Sequence, residues 1–105
     1  MAWMYLILAG IFEIGWPLGL KISQTGNYKV SGIVLAVISM AISGFFLWQA
    51  QKTIPIGTAY AVWTGIGAVG TFFIGILFFS DPAGFWRILS AMLIVMGVVG
   101  MKLSA

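Results

Sequence analysis

A single carboxylate stands in the middle of an apolar segment near the start of the chain. Glu13 lies within MAWMYLILAGIFEIGWPLGL, and the only other acid in the sequence is Asp81. An ionisable side chain inside a membrane is costly and therefore indicates a functional site. Because a carboxylate can exchange a proton for a cation, we expect Glu13 to bind protons and small cations in competition. The alternative is a protonated glutamate that is hydrogen-bonded to a neighbouring helix and has a structural role.

Two residues have the spacing that places them beside Glu13. Gly10 and Trp16 lie three residues before and after it, so all three side chains share one face of a helix. We expect Gly10 to leave space beside the carboxylate. Trp16 supplies an indole N–H donor and an aromatic face, which attracts cations.

A second set of regularly spaced residues lies further along the chain. Tyr60, Trp63 and Gly67 are separated by three and four residues and therefore share one helix face. Two aromatic residues with polar tips and a small gap suit a cavity shared with Glu13, although aromatic residues near a helix end also suit the membrane interface. Since an indole N–H only donates, we expect any hydrogen bond from Trp16 or Trp63 to go to the Glu13 carboxylate and not to a cation.

The composition indicates that membrane helices position these residues. Of the 105 residues, 62% are hydrophobic and only 7% are charged, whereas soluble domains have about 25% charged residues. A membrane-spanning helix needs roughly 20 apolar residues, so the chain has room for about four. We predict an all-α integral membrane protein with one transmembrane domain over residues 1–105. Its predicted helices cover about 3–20, 30–50, 56–79 and 85–103.

Several kinds of chemistry are not expected. The sequence contains no cysteine and no histidine, and with two acids a metal site is not expected. The net charge of +3 is spread along the chain, which argues against nucleic acid as a partner. The glycine pattern at Gly65–Gly70 matches a dinucleotide fingerprint but lies inside the uncharged stretch Thr53–Ser80, without the preceding strand that such a site needs. We therefore predict neither an enzyme nor a cofactor.

The distribution of basic residues predicts how the chain inserts into a membrane. Four spans put both termini and the second connection on one side, which holds Lys52 and Lys102; the other side holds Lys21, Lys29 and Arg87. The positive-inside rule needs an asymmetry, and two against three is nearly none. We predict dual topology, which permits an antiparallel dimer of identical chains; the alternative is a weak but fixed orientation.

Over essentially its whole length the chain resembles the small multidrug resistance family of bacterial exporters. The resemblance rests on four short spans, on Glu13 in the first, on PIGTAYAVWTGIGAVG at Pro55–Gly70 and on LIVMGV at Leu93–Val98. The chain is more similar to the guanidinium-exporter subtype than to the quaternary-ammonium subtype. The positions that carry this similarity are Pro55–Gly70, Trp16, Lys21 and Lys102. The resemblance implies proton-coupled antiport by an antiparallel homodimer in the inner membrane, with both Glu13 side chains in one site.

The resemblance also implies roles for individual residues. The positions that match substrate-binding residues of the subtype are Trp16, Ser43, Tyr60 and Trp63. Gly10 matches a small residue beside the glutamate, Gly65 and Gly67 match a glycine hinge of the third helix, and Gly97 matches the packing face of the fourth. The chain departs from the family pattern at Pro17, which cannot donate to the Glu13 carbonyl and should produce a kink or a free carbonyl, and in a longer first loop.

These observations predict an exporter of guanidinium or small substituted guanidinium cations. Two alternatives remain open on the sequence alone. One is an exporter of bulkier quaternary ammonium or biguanide compounds, with the same architecture and a wider pocket. The other is a membrane subunit that transports nothing and stabilises a partner.

Overall fold

Four long helices make up nearly the whole chain. The computed structural model describes residues 1–104 and contains α1 (Ala2–Ser23), α2 (Lys29–Ala50), α3 (Ile56–Phe79) and α4 (Phe85–Leu103). Each is long and apolar enough to cross a membrane, because helices of this length span roughly the 30 Å of a hydrocarbon core. The predicted all-α architecture of four membrane-length helices is confirmed.

The first helix is longer than the sequence pattern predicts. It continues past Leu20 and Lys21 to Ser23, whose hydroxyl donates to the Leu20 carbonyl at 2.6 Å and so helps to close the last turn. The chain then reverses at Gly26, which has a positive φ of 51° that glycine adopts without a steric penalty. The helix also runs through Pro17 without interruption.

The helices form a thin slab in which α1 is central. α1 packs against both α2 and α3, whereas the backbone of α4 approaches only α3 within the described residues 1–104, with Lys102 of α4 placed over the Trp3 ring of α1. The slab is only 17 Å across its shortest dimension, about one and a half times the diameter of one helix. Along the seam between α1 and α2, small residues bring the backbones together, since a side chain at Gly19 would lie 2.6 Å from the Ala36 nitrogen and the Gly32 carbonyl.

The tightly packed part of the bundle lies at one end. The start of α1, the end of α2 and the start of α3 meet there around the short second connection. The buried residues of this cluster are Leu6, Ala50, Ile54, Ala59 and Val62. The opposite end, where α3 turns into α4, has no comparable cluster in the described part of the chain. α3 is therefore packed against the other helices at one end of the bundle and borders an open cavity at the other, where α1 and α2 remain in close contact.

The fourth helix presents an apolar surface to its surroundings. Ala91 is its only buried residue, and large apolar residues such as Met96 (67% exposed) face outward. At Gly97 a side chain would meet no atom of residues 1–104 within 4 Å. An apolar surface this extensive must be covered by lipid or by another protein chain.

Candidate functional site

A cavity of about 450 Å³ opens between α1, α3 and the start of α4. Its volume is in the range of small-molecule sites, about 300–1,000 Å³. Polar, charged and aromatic residues line much of its wall, among them Glu13, Trp16, Thr64, Phe72, Asp81 and Arg87. Both acids of the sequence therefore line the same cavity.

The Glu13 side chain is held inside the cavity without a partner. Its Oε1 atom is buried and has no hydrogen-bond partner within residues 1–104. The side chain lies directly on Gly67, where an added Cβ would overlap Glu13 Cγ and lie 3.1 Å from Glu13 Cβ. A buried carboxylate oxygen without a partner is energetically costly. A proton or a bound cation would remove that cost.

Gly10 has a different effect from the one that its spacing predicts. A side chain at Gly10 would lie 2.7 Å from Ile66 Cβ, so the space beside this glycine is filled by Ile66 of α3. Gly10 therefore lets α1 and α3 approach closely, one turn before Glu13. Trp16, on the same face of α1, does line the cavity.

The expected hydrogen bond from Trp63 to Glu13 is wrong. Trp63 Nε1 donates to Ser43 Oγ at 2.8 Å, and the Ser43 hydroxyl donates in turn to the Ala9 carbonyl at 2.7 Å. Ser43 is fully buried and its hydroxyl can accept and donate at once, so it satisfies the indole without the carboxylate. This chain of hydrogen bonds joins α1, α2 and α3.

Tyr60 and Trp63 form a pair beside the cavity and do not line it. Their ring centroids are 5.4 Å apart in an edge-to-face arrangement, and Tyr60 is 56% exposed. Trp63 lies one turn before Gly67, which holds the Glu13 side chain. The pair is therefore adjacent to the site within one chain, and its role in binding stays a prediction.

Asp81 and Arg87 line the cavity although neither was predicted as a site residue. Ser80 adopts a left-handed conformation with φ 57°, and the Asp81 N–H donates to the Gly75 carbonyl at 3.0 Å, which folds the connection back over α3. Arg87 Nε donates to the Pro82 carbonyl at 2.8 Å. The only signal in the sequence was that Asp81 is one of two acids.

The glycines predicted as a hinge lie at contacts between helices. α3 is continuous across Gly65 and Gly67. A side chain at Gly65 would lie 2.6 Å from Val98 Cγ2 of α4, and Gly67 holds Glu13. Both are therefore packing positions here, and the hinge and the dimer contact at Gly97 stay predictions.

Replacing Gly67 with alanine should disturb the site directly. The added methyl group would collide with the Glu13 side chain, and overpacking of this kind costs about 1–3 kcal/mol. We expect Gly67→Ala to lower the unfolding midpoint in detergent and to weaken cation binding measured by tryptophan fluorescence. Gly57→Ala is the matched control in the same helix, because no atom lies within 4 Å of its added Cβ. Equal behaviour of the two variants would contradict the proposed contact.

Comparison with known proteins identifies the class of the chain. The family described as Small Multidrug Resistance protein matches residues 1–94. The chain is 47% identical over 105 residues to a protein named Guanidinium exporter from Yersinia pseudotuberculosis serotype I (strain IP32953), with 100% of both chains covered. It is 46% identical over 105 residues to the Guanidinium exporter of Salmonella typhimurium (strain LT2), covering 100% and 99% of the two chains. It is 44% identical over 104 residues to that of Escherichia coli (strain K12), covering 99% and 98%.

Four membrane-length helices and a carboxylate in a cavity between them define a small multi-pass membrane protein. The chain belongs to the Small Multidrug Resistance family. The relatives are named as exporters, so this is a family of transporters and not of enzymes.

Proposed function

We propose that this protein is a proton-coupled antiporter that exports guanidinium or small substituted guanidinium cations across the bacterial inner membrane. The observation that carries the proposal is the buried Oε1 atom of Glu13, which has no partner within residues 1–104 and belongs to a side chain that lines a cavity. Because Oε1 has no hydrogen-bond partner among the described residues, either a proton or a substrate cation can compensate the carboxylate. The name shared by the relatives supports guanidinium as the substrate class.

The chemistry of the cavity suits a guanidinium ion. Guanidinium is planar, carries only donors and keeps its charge near neutral pH. It pairs with a carboxylate through two parallel hydrogen bonds, which Glu13 offers. The Trp16 ring supplies an aromatic face in the same cavity, and such a face attracts cations.

We propose further that the working unit is an antiparallel homodimer with both Glu13 side chains in one site. The thin slab and the exposed α4 surface with Gly97 leave room for a second copy. The basic residues support insertion in both orientations, because two lie at the packed end and three at the open end. Exchange of conformation between two such copies would invert the access to the site.

Transport by the chain alone tests the proposal. The protein is reconstituted into liposomes, a pH gradient is applied, and uptake of guanidinium is compared with uptake of a tetraalkylammonium dye. We expect guanidinium to exchange for protons and the dye to be transported poorly. Preference for the dye would support a quaternary-ammonium exporter, and transport of neither would support a membrane subunit that needs another partner.

Binding of guanidinium should depend on pH, because a proton and the cation compensate the same charge on Glu13. We expect the apparent affinity to fall as the pH is lowered from about 8 to about 4, because protons become more able to compete for carboxyl groups toward the lower end of that range. Binding should also release protons, since the linkage works in both directions. Tryptophan fluorescence, with Trp16 lining the cavity, reports the affinity, and weakly buffered solution reports the protons. An affinity that does not change over this range would rule out competition at Glu13.

A further inference from the structure

Three charged side chains of the described residues line the Glu13 cavity, and their signs alternate along α3. Each rests against a different residue of α3: Glu13 against Gly67, Arg87 over the Phe72 ring and Asp81 against Gly75. At a rise of 1.5 Å per residue, these positions on α3 are about 7.5 Å and then about 4.5 Å apart along the helix axis. The cavity wall is therefore negative, then positive, then negative toward the α3–α4 connection.

Two contacts hold the positively charged side chain of Arg87 beside Phe72 in the cavity wall. Its Nε donates to the Pro82 carbonyl at 2.8 Å, and its guanidinium carbon lies 5.4 Å from the centre of the Phe72 ring. Neither contact neutralises the charge, and arginine stays protonated at all physiological pH values. Among residues 1–104 the acids that face it are Glu13, from α1, and Asp81, from the connection. Lys21 lies in a neighbouring cavity of about 210 Å³, which Asp81 also lines.

We propose that Arg87 is a specificity-determining residue that selects against substrates with a second positive charge a short distance from the guanidinium head. The inference rests on the proposed function, in which the head pairs with Glu13. A tail that extends from Glu13 along α3 toward the α3–α4 connection passes Phe72 and Arg87. An apolar tail packs on the Phe72 ring, whereas an ammonium group at that level meets the Arg87 charge and is repelled.

Asp81 gives the selection a dependence on length. Its carboxylate lies beyond Arg87 along α3, against Gly75. A second positive charge on a longer tail therefore extends past the Arg87 guanidinium, which repels it, and reaches the Asp81 carboxylate, which attracts it. A four-carbon spacer places the second charge near Arg87, and an eight-carbon spacer carries it toward Asp81. The penalty for the second charge should therefore be larger for the shorter compound.

The test uses pairs of compounds that differ only in the terminal charge. Binding of butylguanidinium and of 4-aminobutylguanidinium is measured by tryptophan fluorescence on the wild type, on Arg87→Gln and on Arg87→Lys. The octyl pair is measured in the same way. In Arg87→Gln we expect the affinity for the four-carbon dication, relative to butylguanidinium, to rise by roughly three- to tenfold, as expected for two charges several ångströms apart in a hydrated cavity. Arg87→Lys keeps the positive charge, so the affinity for 4-aminobutylguanidinium relative to butylguanidinium should stay at the wild-type value.

A second measurement needs no variant. In the wild type, raising the salt concentration should reduce the discrimination against the four-carbon dication, because salt screens the repulsion between charges in a hydrated cavity. The inference is wrong if Arg87→Gln leaves the ratio of the affinities for the four-carbon dication and for butylguanidinium unchanged, which includes an equal change in both affinities. It is also wrong if this ratio in the wild type does not depend on the salt concentration. If the wild type binds neither guanidinium nor butylguanidinium, the proposed function itself is wrong. If the wild type binds both monocations but the affinity ratio of dication to monocation does not depend on Arg87, only the proposed selection by Arg87 is wrong.

Discussion

Glu13→Gln is expected to abolish proton-coupled transport of guanidinium and to leave the four-helix fold intact. Glutamine has the shape of glutamate and still fits on Gly67, where the Glu13 side chain rests. It has lost both the negative charge that a cation needs and the group that titrates. Uptake into liposomes under a pH gradient should fall to the level of empty liposomes. Circular dichroism and size-exclusion chromatography in detergent should match the wild type.

Glu13→Asp is the control for this variant, because it retains a carboxylate in the same cavity. We expect it to keep coupled transport with a weaker apparent affinity, since the shorter side chain draws the charge back toward α1. Coupled exchange by Glu13→Gln at a normal rate would show that the carboxylate is structural. Loss of helical structure in Glu13→Gln would instead mean that the ionised carboxylate holds the bundle together.

Fixing the orientation of the chain is expected to produce the second large effect. Gln24→Lys with Asn27→Lys changes the count of basic residues from two against three to two against five. Both positions are exposed in the first connection, so the fold should tolerate them. Because the positive-inside rule then favours one orientation, antiparallel pairs cannot form and transport should fall to a small fraction of the wild-type level.

The opposite bias supplies the matched control. Lys29→Gln, Thr53→Lys and Ser104→Lys together give four against two in the other direction, and this variant should also be nearly inactive alone. Expression of the two variants in one cell should restore transport, because each supplies the orientation that the other lacks. Cysteines placed singly in the first connection of the wild type should react with an impermeant reagent from both sides. Full activity of either biased variant alone would remove the antiparallel dimer from the mechanism.

The positions of the helices could be predicted because they depend on local properties of the sequence. Apolar runs of membrane length separated by Pro55 and by the Ser80 turn mark α3, whose observed range begins and ends at those breaks. The end of α1 was less predictable, since the helix continues past the charged Lys21 to Ser23 and is capped by the backbone N–H of Gln24. Glu13 stood out because a charge in an apolar run needs an explanation.

The contacts between helices could not be predicted in the same way. The Trp63 indole bonds to Ser43, and the gap at Gly10 is filled by Ile66, because the rotation of each helix about its axis decides which side chains meet. Spacing along one helix does not contain that rotation. Arg87 reaches the cavity only because the α3–α4 connection folds back on α3, an arrangement of residues far apart in the sequence.

The uneven packing along the bundle has a mechanical consequence. The start of α1 and the end of α2 are locked around Leu6 and Val62, whereas the other end surrounds an open cavity. Regions with few buried contacts open at the lowest free-energy cost, so each chain has a stiff end and, where α3 and α4 meet beside the cavity, a compliant end. In an antiparallel pair, the stiff end of one copy would stand beside the compliant end of the other at each membrane surface. At each membrane surface, the packed helix ends of one copy would then stay in place beside the more mobile helix ends of the other. Opening of the site toward one surface would therefore leave a rigid group of helix ends at both surfaces.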